Sequence, residues 1–509
     1  MTSTLSARER LVEKLRDLHS LSTIEGLLSW DEQVNLPPAS ADFRARQNAA
    51  MAGVVHRAAT SEELGQALAE AEQEAGEPDS HDRETRTLLH FVRREYDFAT
   101  KLPAEFVRRR AESQSKAFHA WRTARENDDF ATFAPHLRSL IEQSIEVAAY
   151  CGVERARAYD FWLDRYDPGL DTAFVERTFA ALAEELVPLA TEIVDAAKPA
   201  ANAPSIFRGF PVDAQETFLR EVMQALGFDF QRGRLDRSVH PFCGGSPSDL
   251  RMTTRFDPDN PLDAIFSSIH ETGHGLYEQG LPLEHLGTPL CEASGMAVHE
   301  SQSRLWENQV CRGRPFWKLW EPRLRTAFAT QLKDVTSEDL YKSINAVGLT
   351  PIRVDADEVT YNLHIILRFE IEKRLFSGEL EVDQLPQVWN ELSQTYILGL
   401  VPPSDREGCL QDVHWSYAAF GYFPSYTLGN LLAAQLWYAA LEQVVGLEEG
   451  FTQGEYTPLL TWLQENIHRH GKQYDLRECA EIVTGKPLAH TSLIRYLKER
   501  YKPLYTHTQ

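Results

Sequence analysis

Apolar residues recur along most of this chain at the three- and four-residue spacing of helices buried on one side. The clearest seam runs from Thr172 to Ala197, where Val175, Phe179, Leu182, Leu186, Leu189 and Ile193 are separated by steps of four, three, four, three and four. That spacing puts all six on one face and predicts a core helix, with Pro188 expected to kink its second half. Similar amphipathic stretches predict helices over Ala7–Leu28, Phe43–Ala58, Ala104–Asn127 and Phe130–Cys151. One segment differs. Between His240 and Phe256, Gly244, Gly245 and Pro247 interrupt the chain, and Leu250, Met252, Thr254 and Phe256 then alternate, which is the mark of a short strand. Helical spacing resumes after Pro261, so the expected fold is mainly α with a small sheet beside that helix.

Composition sharpens this only in places. No Pro/Gly/Ser-rich linker or low-complexity run divides the 509 residues, which favours one large helical body, whole or in two lobes, over three separate domains. With 43% hydrophobic residues there is ample material for a core. The net charge of −23 argues against nucleic-acid partners, because phosphate binding needs basic patches. Met1–Ser20 lacks a signal-peptide core, and no stretch is long and apolar enough to span a membrane. Six cysteines (151, 243, 291, 311, 409 and 479) form no C-x-x-C pair, so neither a disulfide framework nor a thiolate zinc site is expected, and a cytoplasmic location is.

The chemistry concentrates at His270-Glu271-Thr272-Gly273-His274, which reads H-E-x-x-H. Leu262, Ile265, Phe266 and Ile269 carry helical spacing into it, so both imidazoles lie one turn apart and can reach one metal. Glu271 projects beside them, where a carboxylate can take a proton from a water that zinc activates. Gly273 costs on the order of 1 kcal/mol in mid-helix but lets another backbone or a substrate come close. By chance the motif arises roughly 0.05 times in such a chain, so a third ligand must support it. Tyr277 and Gly280 stand where the metzincin pattern needs glycine and histidine, which excludes that class. A helix over Met296–Val310, set off by Gly287, Pro289 and Gly295, offers Glu300 instead. His270, His274 and Glu300 then form a His2Glu site, with Glu292 and Glu307 expected to be dispensable. His299 is either a support for that site or a helix-face residue.

Further motifs resemble the M32 zinc metallocarboxypeptidases of the carboxypeptidase Taq type. The chain reads H-P-F at His240–Phe242, D-x-R-x-T at Asp249, Arg251 and Thr253, and H-E-x-x-H at His270–His274. It continues with H-E-S-Q at His299–Gln302, I-R-x-x-A-D at Ile352, Arg353, Ala356 and Asp357, and G-x-x-Q-D-x-H-W at Gly408, Gln411, Asp412, His414 and Trp415. All six stand in order. The resemblance implies one catalytic domain over 1–509: a helical part to about 239, a motif-bearing part over about 240–430 and helices over 431–509. It implies a large helical saddle with a deep active-site groove, similar to neurolysin and angiotensin-converting enzyme. It also implies a homodimer that removes single residues from the free C-termini of peptides with broad specificity, resisting proline, with Zn2+ as cofactor and Co2+ as a possible substitute.

Roles follow. Glu271 moves the proton, while His414 and then Tyr426 are candidate donors to the oxyanion. Arg353 offers a bidentate fork for the substrate's terminal carboxylate, against the plainer reading of an ion pair with Asp355 or Asp357. Asp249, Arg251 and Thr253 are expected to line the groove, with Arg251 and His240 reaching substrate. Two rivals stand beside this reading: an oligopeptidase or dipeptidyl carboxypeptidase on the same fold, and a non-catalytic helical binding protein.

Overall fold

The computed structural model describes residues 5–77, 80–201, 206–239 and 241–505. Among them the chain is mainly helical with one three-stranded sheet, and it divides into two compact units. The first comprises Met1–Thr100, Ser205–Ser337 and Leu436–Lys486; the second comprises Lys101–Pro204, Glu338–Gln435 and Pro487–Gln509. Each is assembled from separate stretches of chain, so no linker marks a boundary. None of the described helices is long and apolar enough to cross a membrane.

The first unit opens with helices Ala7–Val34, Ala41–Ala59, Glu62–Ala75 and Arg83–Lys101. Ser6 caps the first by accepting from the Glu9 N–H while the Glu9 carboxylate accepts from the Ser6 N–H. Leu11, Leu15, Leu64, Leu68, Leu88 and Val92 close a core among three of the four. The sheet contains β1 (Gly233–Arg237), β2 (Phe242–Ser246) and β3 (Asp249–Thr254), with β3 central, parallel to β1 and antiparallel to β2. The alternation after Pro247 is therefore β3, whose Leu250 and Met252 are buried. They meet the helix Pro261–Gly280 at Gly275, where a Cβ would lie 3.0 Å from Leu250 Cδ2. β1 has no counterpart in the sequence reading, because three of its five residues are charged and its pairing to β3 is long-range.

In the second unit the seam helix runs from Thr172 through Pro188 to Ala201, and all six seam residues are buried. It packs against helices Tyr361–Ser377 and Thr491–Tyr505, with Phe179 edge-on to Phe369 at 5.3 Å. Each such side chain contributes about 1.5–3 kcal/mol on burial. The expected helix at Ala104–Asn127 has those bounds, and its neighbour ends at Tyr150.

Candidate active site

Pro261 starts the helix that carries H-E-x-x-H, in the first turn where its missing N–H costs nothing. Ile265, Phe266 and Ile269 are buried, which turns the opposite residues His270, Glu271 and His274 toward a half-exposed surface. Gly273 faces the next ligand-bearing helix, Met296–Arg304: a Cβ there would stand 2.5 Å from Ser303 Cα and 2.7 Å from the Gln302 carbonyl oxygen. Glycine is what lets the two backbones touch, and this contact carries Glu300 to the histidines. Gly273→Ala should gain up to about 1 kcal/mol in helix propensity but force the helices apart. The clash meets backbone rather than a flexible side chain, so it wins. A lower melting temperature together with faster metal loss on dialysis is the expected result.

His270 Nε2, His274 Nε2 and a Glu300 oxygen converge. The two nitrogens are 3.1 Å apart, and each is 3.5 Å from Glu300 Oε2. Three atoms at those separations lie on a circle of radius about 2.0 Å, the bond length zinc takes to imidazole nitrogen and carboxylate oxygen. The hydrogen bonds behind the ring nitrogens settle their tautomers. His270 Nδ1 faces Glu307 Oε2 at 3.0 Å, so it carries the proton and donates. His299 Nε2 donates to Glu278 Oε1 at 2.9 Å, leaving its Nδ1 to accept from His274 Nδ1. Both Nε2 atoms then present lone pairs to each other, an arrangement that is repulsive until a cation lies between them. The donor set fits a metal ion with borderline-soft preferences such as zinc.

Charge is arranged around the same point. Glu300 gives Oε1 to Arg304 Nε at 2.7 Å and keeps Oε2 on the histidine side. Burial would raise its carboxyl, but Arg304 and then His270 outweigh it and hold the group far below the carboxylate range. Glu307 is treated likewise by Arg304, His270 and Arg312. For His270, burial pulls down while Glu300 and Glu307 together push it above its usual value. His274 is lowered to about 3, by burial first and then by His299. Burial pushes Glu271 up to about 7, where a carboxylate can both accept and return a proton near neutrality. Glu307 lies on a π-helical stretch, Leu305–Cys311, that continues the ligand helix.

The second unit gathers another group. Arg353, in the turn Arg353–Asp355, is buried; its Nε donates to Asp412 Oδ1 at 2.9 Å and Nη1 to the Tyr361 hydroxyl at 3.0 Å. Its backbone N–H donates to Gln411 Oε1, so I-R-x-x-A-D and G-x-x-Q-D-x-H-W meet in space. Arg368 Nε also donates to Asp412, at 2.7 Å, giving two guanidiniums on one carboxylate. The Arg353 guanidinium lies over the Tyr426 ring at 5.2 Å, and the Tyr426 hydroxyl is 3.2 Å from His414 Nε2. Burial, with Arg353 beside it, lowers His414 to about 3, so the ring is neutral. Its Nδ1 has no partner among the described residues.

Comparison with known proteins agrees with the motifs. The model of the Carboxypeptidase Taq (M32) metallopeptidase family matches residues 10–501. The chain belongs to the M32 family. It is 39% identical to thermostable carboxypeptidase 1 of Thermus thermophilus, over 98% of this chain and 99% of that one, and 36% identical to carboxypeptidase 1 of Bacillus subtilis, over 96% and 97%. The crystal structure of the M32 carboxypeptidase from Deinococcus radiodurans R1 superposes with a TM-score of 0.92 at 38% identity, covering 98% of this chain and 100% of that one. The protein is thus a metallocarboxypeptidase, a hydrolase of the M32 type.

Within this M32 chain, His270, His274 and Glu300 come together, and Glu271 lies between the two histidines. Arg353, His414 and Tyr426 form the second cluster. Arg251 joins neither: it pairs with Asp249 at 3.0 Å and lies over the Trp30 ring at 4.3 Å, lining a cavity of about 360 Å3 with Leu27 and Phe242. His240 lies outside the described residues. One alternative reading and one expectation are corrected. Arg353 pairs with Asp412 rather than Asp355 or Asp357; the Asp357 carboxylate instead accepts from the Val359 and Thr360 N–H groups ahead of the helix Tyr361–Ser377. Glu307 is not a spare carboxylate but the acceptor for His270 Nδ1–H. Glu307→Ala should therefore weaken metal retention by about 10- to 100-fold, the usual effect of removing the carboxylate behind a ligating histidine. Isothermal titration of the metal-free protein with zinc measures it, with Glu292→Ala as the unaffected control, since among the described residues Glu292 pairs with Lys472 alone. Arg304, Glu278, Arg368 and Tyr361 were also missed. Glu278 and Arg304 had a readable signal: they lie four residues beyond His274 and Glu300 respectively, on the same helix face.

Proposed function

We propose that this M32 enzyme holds Zn2+ through His270, His274 and Glu300 and releases single amino acids from the free C-termini of peptides, broadly, with C-terminal proline resisted. The observation that carries the metal assignment is the spacing of the three ligand atoms, with both imidazole tautomers fixed from behind. A bound zinc ion supplies Lewis-acid activation of water and polarises the scissile carbonyl. Glu271 accepts the water's proton at its carboxylate and returns it to the departing amine. The neutral His414 and the Tyr426 hydroxyl are the candidate donors to the developing oxyanion. Arg353, fixed at Nε by Asp412 and at Nη1 by Tyr361, receives the terminal carboxylate. The family resemblance supports a homodimer and Co2+ as a substitute metal.

The reading is tested by mass spectrometry of peptide digestion over time, with and without a chelator. Stepwise loss of one C-terminal residue, abolished by the chelator and restored by zinc, is expected. Internal fragments or dipeptides as first products would overturn it. Glu300→Ala should lose both zinc and activity, read by atomic absorption after dialysis, because two histidines alone hold the metal weakly.

A further inference from the structure

Glu372 is a buried carboxylate with no cation in ion-pair contact among the described residues. It stands on the helix Tyr361–Ser377, and its hydrogen-bond partners are all neutral donors. Oε1 accepts from Trp415 Nε1 at 2.8 Å, while Oε2 accepts from the Gly421 N–H and the Tyr159 hydroxyl, each at 2.9 Å. Burial pushes the carboxyl up to about 7 against the pull of those three bonds. A buried acid without a counter-ion is costly to a fold, so such a position favours an apolar residue unless the acid serves something else.

Its partners show what it serves. Trp415 follows His414 directly, and Gly421 precedes Tyr422, whose ring meets His414 at 5.6 Å and Tyr426 at 5.2 Å. One carboxylate therefore holds both ends of the short stretch from His414 to Tyr422. Within that stretch the turn His414–Tyr417 is followed by Ala418 at a φ of +56°, and Gly421 stands at +83°. Gly421 also lies against the helix Ala158–Tyr166, where a Cβ would be 2.8 Å from the Trp162 carbonyl carbon. Tyr159 comes from that same helix, so the third bond anchors the clamp to a second element. An amide could not replace the acid. Trp415 Nε1–H and the Gly421 N–H can only donate, and they address different oxygens. A glutamine NH2 must face one of them whichever way it is turned.

We propose that Glu372 is a positioning residue for peptide hydrolysis, which by holding Trp415 and Gly421 sets His414 and Tyr426 where they meet the developing oxyanion. The inference rests on those two residues being the oxyanion donors. Glu372→Gln in the full-length enzyme tests it. The readouts are kcat, KM and metal content with one peptide, and the inhibition constant of its phosphinic analogue, which puts a tetrahedral anion in place of the scissile amide. kcat should fall by about 10- to 100-fold, less than or equal to the loss of an oxyanion donor outright, with KM within about twofold and metal content unchanged. The analogue should weaken by the same factor as kcat/KM, because it carries the shape and charge of the transition state and the peptide does not. KM and the inhibition constant do not depend on how much of the enzyme is folded. Trp415→Phe removes one of the two loop contacts, so its effect and that of Glu372→Gln should be non-additive in the double variant. An unchanged kcat, a loss of kcat without the matching loss of analogue affinity, or additive losses in the double variant overturns the proposal. His414→Ala run alongside reads the donor assignment separately: full turnover and full analogue affinity there remove the oxyanion reading whatever Glu372→Gln does.

Discussion

Glu271→Gln is expected to leave a folded protein with about one zinc per chain and peptide hydrolysis lowered by about 10^3-fold or more, toward the upper range for losing a positioned general base. The change is isosteric, and the Glu271 carboxylate makes no hydrogen bond or ion pair with any described residue, so nothing in the packing depends on it. His270, His274 and Glu300 are untouched. A second effect separates this role from a structural one. Burial raises Glu271 to about 7 against an unfolded value near 4.5, so the folded metal-free protein binds its proton more tightly than the unfolded chain does. Stability from this group is therefore present below about pH 4.5 and is lost as pH rises through about 7. Glutamine cannot ionise, so metal-free Glu271→Gln should melt above metal-free wild type at pH 8, with the gap closing toward pH 4.5. Turnover by the variant near the wild-type rate would remove Glu271 from the proton pathway.

The candidate metal site was legible because its geometry is local. One helical turn brings His270 and His274 together whatever the fold, and Gly273 marks where a second backbone must approach. Glu300 could be chosen because few glutamates follow within reach of an antiparallel return. What supports the ligands was not legible, since it depends on tertiary packing. The Glu307 carboxylate reaches His270 from a π-helical stretch that reads in sequence as an ordinary continuation of Met296–Val310. His299 had two open readings, and only the approach of Glu278 makes it a support for His274. Arg353 shows the limit most clearly. Nearby acids at positions 355 and 357 were the natural partners by sequence distance, yet the pair forms with Asp412, 59 residues away. Asp357 is occupied with backbone N–H groups that would otherwise be unsatisfied ahead of a helix. The seam helix, by contrast, was plain, because burial of one face is written directly into spacing.

The pairing of Arg353 also decides how its removal should behave, and with it the exopeptidase character. In the wild type, Arg353 and Arg368 share the single carboxylate of Asp412, leaving the trio with one excess positive charge. A further acid, Glu372, is engaged by the Tyr159 hydroxyl, Trp415 Nε1 and the Gly421 N–H, and burial raises it to about 7, so it offsets this excess only in part. A terminal carboxylate would complete the balance in a buried setting. Losing one member of such a pair commonly costs about 2–5 kcal/mol, or about 30- to several-thousand-fold in kcat/KM. A C-terminally amidated peptide should therefore be cleaved worse than its free acid by that factor. In Arg353→Met the excess charge disappears while Asp412 keeps Arg368, so no buried carboxylate is stranded and the variant should fold. The free acid should then drop toward the amide, and the ratio of the two should compress toward one. Steady-state kinetics on one peptide in both forms, for both enzymes, reads the result. A large ratio that persists in Arg353→Met would move carboxylate recognition to another residue, and equal cleavage by the wild type would favour an oligopeptidase over a carboxypeptidase that reads the chain end.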